Sequence, residues 1–331
     1  MEKPEKSIKI EISHRTIIFT FVFFLFLKFL WMIKDLLFSF LIAFIIMSAL
    51  KPAVIFLTKK KIPRVIASII VYFIAVGLFI YGLAFIIPPL FKESLQLLLT
   101  VPLVIENLWP NLTVLNFSTL TSYLPDITSQ VLNFIRNIFS NTLFVISTLF
   151  FGFYFLVEEN FIKDVLTKFF EVKKAQVIND VFNRIEKRMS NWFWGETILM
   201  LLVGLLNFIG FSLVGIKYAL PLAVLAGLLE VIPNLGPTVA AVPALLIGLS
   251  QSAFMGLAAL AVAFLVQQLE NNMIVPLVMR KVTGLNPIFI LTALIIGGKI
   301  GGVPGVILAI PLSLILETLL VEISRQSKLS G

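Results

Sequence analysis

Apolar stretches of about 17 to 25 residues, the length needed to cross the hydrocarbon core of a bilayer, recur along this 331-residue chain. Twice in the last hundred residues such a run is cut by helix-breaking residues. The first cut is Pro233-Asn234-Leu235-Gly236-Pro237, with Pro243 beyond it; the second is Gly301-Gly302-Val303-Pro304-Gly305, with Pro311 beyond it. A broken helix at membrane depth bares carbonyls and amides, which hydrocarbon tolerates only where the segment is buried in protein or lines a polar cavity. The pattern predicts an all-α, polytopic membrane protein with a route through it for something polar.

Composition agrees and removes several chemistries. Hydrophobic residues make up 59% of the chain and charged residues 13%, against about 25% charged in a soluble domain. Without cysteine there is no disulfide or thiolate chemistry. The single histidine, His14, lies in a charged N-terminal tail, which rules out an imidazole relay within the membrane. Gly298-Lys299 is followed by Ile300 rather than Ser or Thr, so no phosphate-binding loop of the G-x-x-x-x-G-K-[ST] type exists. One histidine also rules out H-E-x-x-H, and no G-x-S-x-G occurs. The chain is therefore read as a non-enzyme without cofactor or metal, moving a solute down a gradient or coupled to one.

The net charge of +8 follows the positive-inside rule and indicates orientation rather than nucleic-acid binding. Lys59, Lys60, Lys61 and Arg64 mark one inner loop. Lys163, Lys168, Lys173, Lys174, Arg184, Lys187 and Arg188 mark a second, and Arg280-Lys281 and Arg325 with Lys328 mark the rest. Both termini are expected in the cytoplasm. Spans are expected near 16–33, 34–50, 65–90, 138–157 and 197–214. Residues 1–157 form an N-terminal transmembrane collar, with an external segment near 91–137 that is poor in bases. Residues 158–196 form a cytoplasmic amphipathic region whose stripe runs through Ile162, Val165, Phe169, Ile178, Val181, Phe182, Ile185, Met189 and Trp192. That stripe suits an interfacial anchor or an arm that recruits a partner. Residues 197–331 form a C-terminal unit containing both breaks.

The limb at 286–298 has 13 residues, fewer than the roughly 17 required to span. Charge parity does not separate full crossings from re-entrant hairpins, but the short limb favours re-entrance; two hairpins entering from opposite faces would form an inverted repeat of the kind found in secondary transporters. An ionised carboxylate at membrane depth costs several kcal/mol unless it faces a cavity or partner, which marks Glu230 and Glu270 as binding candidates. Gln267 and Asn271 share a helical face with Glu270, and Asn234, Gly236 and Pro237 stand at the first break. Lys299 fits two roles, a counter-charge to these acids or a lysine in the headgroups. Pro233, Pro243, Pro276, Gly284, Pro287, Gly302, Pro304 and Pro311 are read as breaks and hinges. Glu196, following Gly195, reads as a helix-start cap, and Glu317 and Glu322 read as partners of Arg325.

The run GIKYALPLAVLAGLLEVIPNLGPTVAAVPALLIGL, followed by QQLENNMIVPLVMRKVTGLNPIFILTALIIGGKIGGVPGVILAIPL, resembles the AI-2E family, the autoinducer-2 exporter-like membrane proteins, over most of the chain. The resemblance implies about eight transmembrane helices in a prokaryotic plasma membrane and a homo-oligomer of pentameric type with a moving C-terminal unit. Its partners would be the lipid bilayer and either a small polar solute or H⁺ and Na⁺. It further implies export of a signalling molecule of autoinducer-2 type, or exchange of Na⁺ or Li⁺ for H⁺. The family signature falls here on Glu230, Pro233, Gly236, Pro237, Glu270, Asn271, Pro276, Gly284 and Pro287. The competing reading is a non-transporting membrane scaffold or assembly factor that recruits partners through the amphipathic region.

Overall fold

The computed structural model describes residues 14–82, 84, 142–158, 161–233, 235–278 and 287–330. The external segment near 91–137, Asn234, Arg280-Lys281 and Gly284 lie outside them. Every described element is helical. The order is α1 (His14–Met32), α2 (Lys34–Lys59), α3 (Arg64–Gly82), α4 (Thr142–Val157), α5 (Phe161–Phe169), α6 (Val172–Val214), α7 (Ala219–Leu229) and α8 (Leu235–Gln251). It continues with α9 (Ala253–Leu269), a π-helical turn (Glu270–Ile274), α10 (Val275–Val278) and α11 (Pro287–Ser330).

Five helical segments are long and apolar enough to cross a membrane: Lys34–Lys59, Arg64–Gly82, Val172–Val214, Ala253–Val278 and Gly305–Ser324. Large apolar side chains point outward along them, Phe73, Leu201 and Phe264 among others. Only a lipid solvent makes such exposure stable. The protein is a multi-pass membrane protein in contact with the bilayer.

The helix α6 is the spine. Its 43 residues extend about 64 Å at 1.5 Å per residue, twice the roughly 30 Å hydrocarbon core. The amphipathic stretch and the following span thus form one continuous rod. Val181, Ile185, Met189 and Trp192 are buried against α2 and the second half of α11, in a core with Ile45, Leu308, Ile310 and Leu314. The part of the stripe from Val181 to Trp192 is thus covered by protein, while Val165, Phe169 and Ile178 remain exposed. Three ion pairs fasten the same stretch: Lys51 to Glu186 at 2.8 Å, Arg184 to Glu322 at 2.7 Å, and Arg188 to Glu317. Arg188 also donates to Thr318 Oγ1 at 2.8 Å. Glu317 and Glu322 are therefore held by α6.

A second core joins α2, α3 and α4 through Met47, Val54, Ala67, Tyr72 and Leu156. Arg64 at the start of α3 donates to the carbonyls of Val157 and Leu156 at 3.1 and 3.2 Å. That supplies partners for the last turn of α4, whose carbonyls have none within the helix. The third core packs the far half of α6 against α7, α8 and α9 through Phe211, Leu222, Ala244, Ile247 and Ala259. Small residues allow these crossings. A Cβ on Gly227 would meet Met200 O at 2.6 Å, and one on Gly248 would meet Met255 O at 2.5 Å.

Both sequence breaks are hairpins. The helix α7 ends at Leu229, the chain turns through Glu230–Pro233, and α8 runs back. At the open end Gln251 reaches the loop before α7; with its amide turned to satisfy both partners, it donates to Gly215 O and accepts from Lys217 N, each at 3.1 Å. Ser252 then caps α9 by accepting from Met255 N at 3.1 Å. In α11 the backbone leaves helical geometry at Gly302, with φ 59° and ψ −139°, and the two limbs fold together so that Gly297 and Gly305 touch. Pro287 opens the first limb, Pro304 follows the kink, and Pro311 is buried in the second limb. Pro243 lies within α8 without ending it.

Candidate functional site

Three carboxyl groups converge where the tip of the α7–α8 hairpin meets α6 and the end of α9. Glu230 is the first residue beyond α7, Glu270 opens the π turn, and Glu196 lies in the middle of α6. Their exposures are 2%, 4% and 5%. The side chains of Glu230 and Glu270 face each other within hydrogen-bonding reach, and Glu196 is close enough to interact electrostatically with both. Glu196 Oε1, Glu230 Oε2 and Glu270 Oε2 are each buried without a hydrogen-bond partner among the described residues. Three carboxyls packed together in a low-dielectric interior repel one another and forfeit their hydration. Among the described residues no lysine or arginine is paired with them.

Local chemistry explains the arrangement. Pro276 has no N–H to give to Asn272 O, and its ring crowds that carbonyl. The α9 helix widens into a π turn over Glu270–Ile274, a feature frequent at functional sites. The widening rotates Glu270 inward while Asn271 and Asn272 stay exposed, and Asn272 bonds Gln268 Oε1 at 2.9 Å. Gly236 lets the hairpin close, because a Cβ there would lie 1.8 Å from Leu229 O.

Beside Glu270 is a cavity of about 10 Å³, lined by Asn207, Pro237, Gln267 and Glu270 together with apolar atoms from α6, α7, α8 and α9. That is room for roughly one water molecule. Asn207 is buried, and its Nδ2 donates to Val203 O at 2.9 Å.

Of the residues marked in the sequence, Glu230, Gly236, Pro237, Gln267 and Glu270 come together here. Asn271 turns away, Pro276 acts through the π turn, and Lys299 is exposed just before the kink in α11. Glu196 and Asn207 belong to the site and were not marked. The signal for Glu196 was present: it is the only charged residue between Arg188 and Lys217. Its place after Gly195 suggested a helix start, but α6 runs straight through.

The fold and this cluster define a class, a multi-pass helical membrane protein whose interrupted helices carry carboxyl groups into its interior. The chain belongs to the AI-2E family: the sequence model described as AI-2E family transporter matches residues 17–325. It is similar to "Putative transport protein YueF" of Bacillus subtilis (strain 168), 29% identical over 333 residues, which cover 94% of this chain and 90% of that protein. It is similar also to "Putative transport protein YrrI" of the same organism, 25% identical over 330 residues, 92% of each chain. A shorter match, 27% identical over 142 residues, joins 42% of this chain to 40% of "Putative permease PerM" of Escherichia coli (strain K12).

Proposed function

We propose that the protein is a secondary transporter that exchanges a small monovalent cation, Na⁺ or Li⁺, for H⁺ at Glu196, Glu230 and Glu270. The observation that carries this reading is the trio of buried carboxyls, each with an oxygen that has no hydrogen-bond partner among the described residues, one of which, Glu270, lines a cavity of about 10 Å³. A site of that size suits a proton or a bare cation, and a furanosyl signalling molecule of autoinducer-2 type needs several times the room. The names carried by its relatives support a transport role. In this reading the α7–α8 and α11 hairpins form an inverted repeat entering from opposite faces, within about eight spans and with both termini cytoplasmic. They rock against the α2–α4 collar to expose the carboxyls alternately. Homo-oligomers, pentameric by family resemblance, carry one such unit per chain.

Proteoliposome flux tests the proposal. Vesicles holding the wild-type protein are expected to exchange external Na⁺ or Li⁺ for internal H⁺, and Glu230→Gln and Glu270→Gln to abolish the exchange. Efflux of a furanosyl sugar with no cation exchange would reassign the substrate to the autoinducer type.

A second reading, a scaffold that recruits partners, is favoured by one feature. The corner between α5 and α6 exposes Phe169 (78%) and Val172 (72%) beside Lys168, Lys173 and Lys174, outside the stretch of α6 that α2 and α11 cover. Wild-type vesicles that move no tested cation or sugar would decide for the scaffold.

A further inference from the structure

A second, larger concavity lies toward the start of α6, lined by none of the three carboxyls. It is a groove of about 330 Å³ between α2, the end of α4 and the inner part of α6, within the size range of small-molecule sites. Its walls are aromatic: Phe40, Phe44, Phe155 and Phe182. Ring contacts hold them in place, Phe40 on Phe155 at 5.9 Å and Phe44 on Phe182 at 5.2 Å between centroids. Beneath them Ser39 and Thr148 share a hydrogen bond of 2.9 Å that ties α2 to α4. The groove is thus a built feature.

Its polarity is confined to one end. Leu37 marks the apolar end, and Lys51, Glu158 and Glu186 mark the other. By helical rise, Leu37 and Lys51 stand about 21 Å apart, somewhat more than the roughly 15 Å half-thickness of the hydrocarbon core. The Lys51 ammonium meets both oxygens of Glu186 at 2.8 Å and has a third donor to give. The Glu158 carboxylate is exposed at the end of α4. The mouth therefore presents one cation flanked by two anions at headgroup depth, above a slot of acyl-chain length.

We propose that this groove binds a phospholipid with an ethanolamine headgroup, drawn from the leaflet on the Lys51 side. One acyl chain lies between the phenylalanine walls, the phosphate takes the remaining donor of Lys51, and the primary ammonium is shared by Glu158 and Glu186. The charge pattern selects this headgroup. A choline head has no N–H to donate to the carboxylates, and a glycerol head brings a negative phosphate with no ammonium to offset Glu158 and Glu186. The lipid wedges α2 and α4 against the spine, a contact that the transport reading neither needs nor supplies.

Native mass spectrometry of the purified full chain in detergent tests this, with dioleoyl phosphatidylethanolamine, phosphatidylcholine and phosphatidylglycerol added in turn. Wild-type protein is expected to retain the ethanolamine lipid about tenfold more than either other lipid, the equivalent of one charge-assisted hydrogen bond. Glu158→Gln, at an exposed position, is expected to abolish that preference while leaving the melting temperature without lipid unchanged. Leu37→Trp, which shortens the slot, is expected to weaken the dioleoyl lipid and spare its dilauroyl analogue. Equal retention of the three lipids by the wild type overturns the proposal, and so does a preference that survives Glu158→Gln. Should a variant aggregate, a photoactivatable ethanolamine lipid on the wild type decides: labelling of Phe155 or Phe182 supports the site, and labelling elsewhere overturns it. Failure of Leu37→Trp to bind lipid together with loss of oligomer would give the groove to a second copy of the chain, and also overturns it.

Discussion

Gly236 and Gly302 sit at the two breaks and cannot be replaced for different reasons. At Gly236 the obstacle is space, since a Cβ would overlap Leu229 O at 1.8 Å. At Gly302 the space is open and the obstacle is the backbone, which holds φ 59° and ψ −139°, a region that essentially only glycine enters. Gly236→Ala is expected to cost about 3 kcal/mol, the upper end for overpacking, because backbone must move. Gly302→Ala is expected to cost about 1–3 kcal/mol. Thermal unfolding in detergent ranks the two, and a Gly302→Ala protein as stable as the wild type would remove the kink from the account. At the carboxyls, Glu196→Gln keeps the shape and removes a charge. If Glu196 shares the cation, exchange falls by tenfold or more, a barrier change of about 1.4 kcal/mol, while sugar-free vesicles remain sealed. A flux unchanged by Glu196→Gln confines the site to Glu230 and Glu270. Those two were legible because each is a lone acid in an apolar run beside a helix break. Asn207 was not, because a single amide in a span carries little signal until the helices that surround it are known.

At the scale of the element, α6 holds the fold together. One end belongs to the hairpin core around Phe211, and the other to the core around Met189. The helical periodicity of residues 178–192 predicted a helix with one apolar face, and that was right. What covers the face was not readable, because an amphipathic stripe next to a membrane looks the same whether headgroups or other helices meet it. The ion pairs show the same limit. Glu317 and Glu322 have Arg325 close in sequence, yet their partners Arg188 and Arg184 lie more than a hundred residues away. Since Arg188 and Glu317 are about a quarter exposed, at 27% and 29%, their coupling should fall near 1 kcal/mol. Arg188→Glu and Glu317→Arg should each destabilise the protein in detergent, and the double exchange should recover about that amount. A cycle with zero coupling would leave the apolar core alone to join α6 to α11.

For the whole molecule, depth decides what the hairpins do. The ion pairs of Lys51, Arg184 and Arg188 form a belt at the level where the basic residues concentrate. Glu196 is ten residues along α6 from Glu186, about 15 Å above the belt and so near the middle of a core about 30 Å thick. The α7–α8 hairpin opens at Lys217 and Gln251 on the far side and brings its tip down to that level. The kink of α11 comes from the belt side: Gly301 rests against the ring of Phe38, thirteen residues from Lys51 and about 20 Å above the belt. In the proposed inverted repeat, two tips arriving from opposite ends would overlap in the middle third of the membrane. In a chain without cysteine, single substitutions test this. Ile232→Cys should react with a membrane-impermeant maleimide only from the Lys217 face, and Ile300→Cys only from the belt face, since each tip draws its water from the side on which its limbs open. Reaction of Ile232→Cys from the belt face would mean that α7 and α8 cross completely. The carboxyls would then stand at the membrane surface, with water instead of a transported cation to satisfy their oxygens.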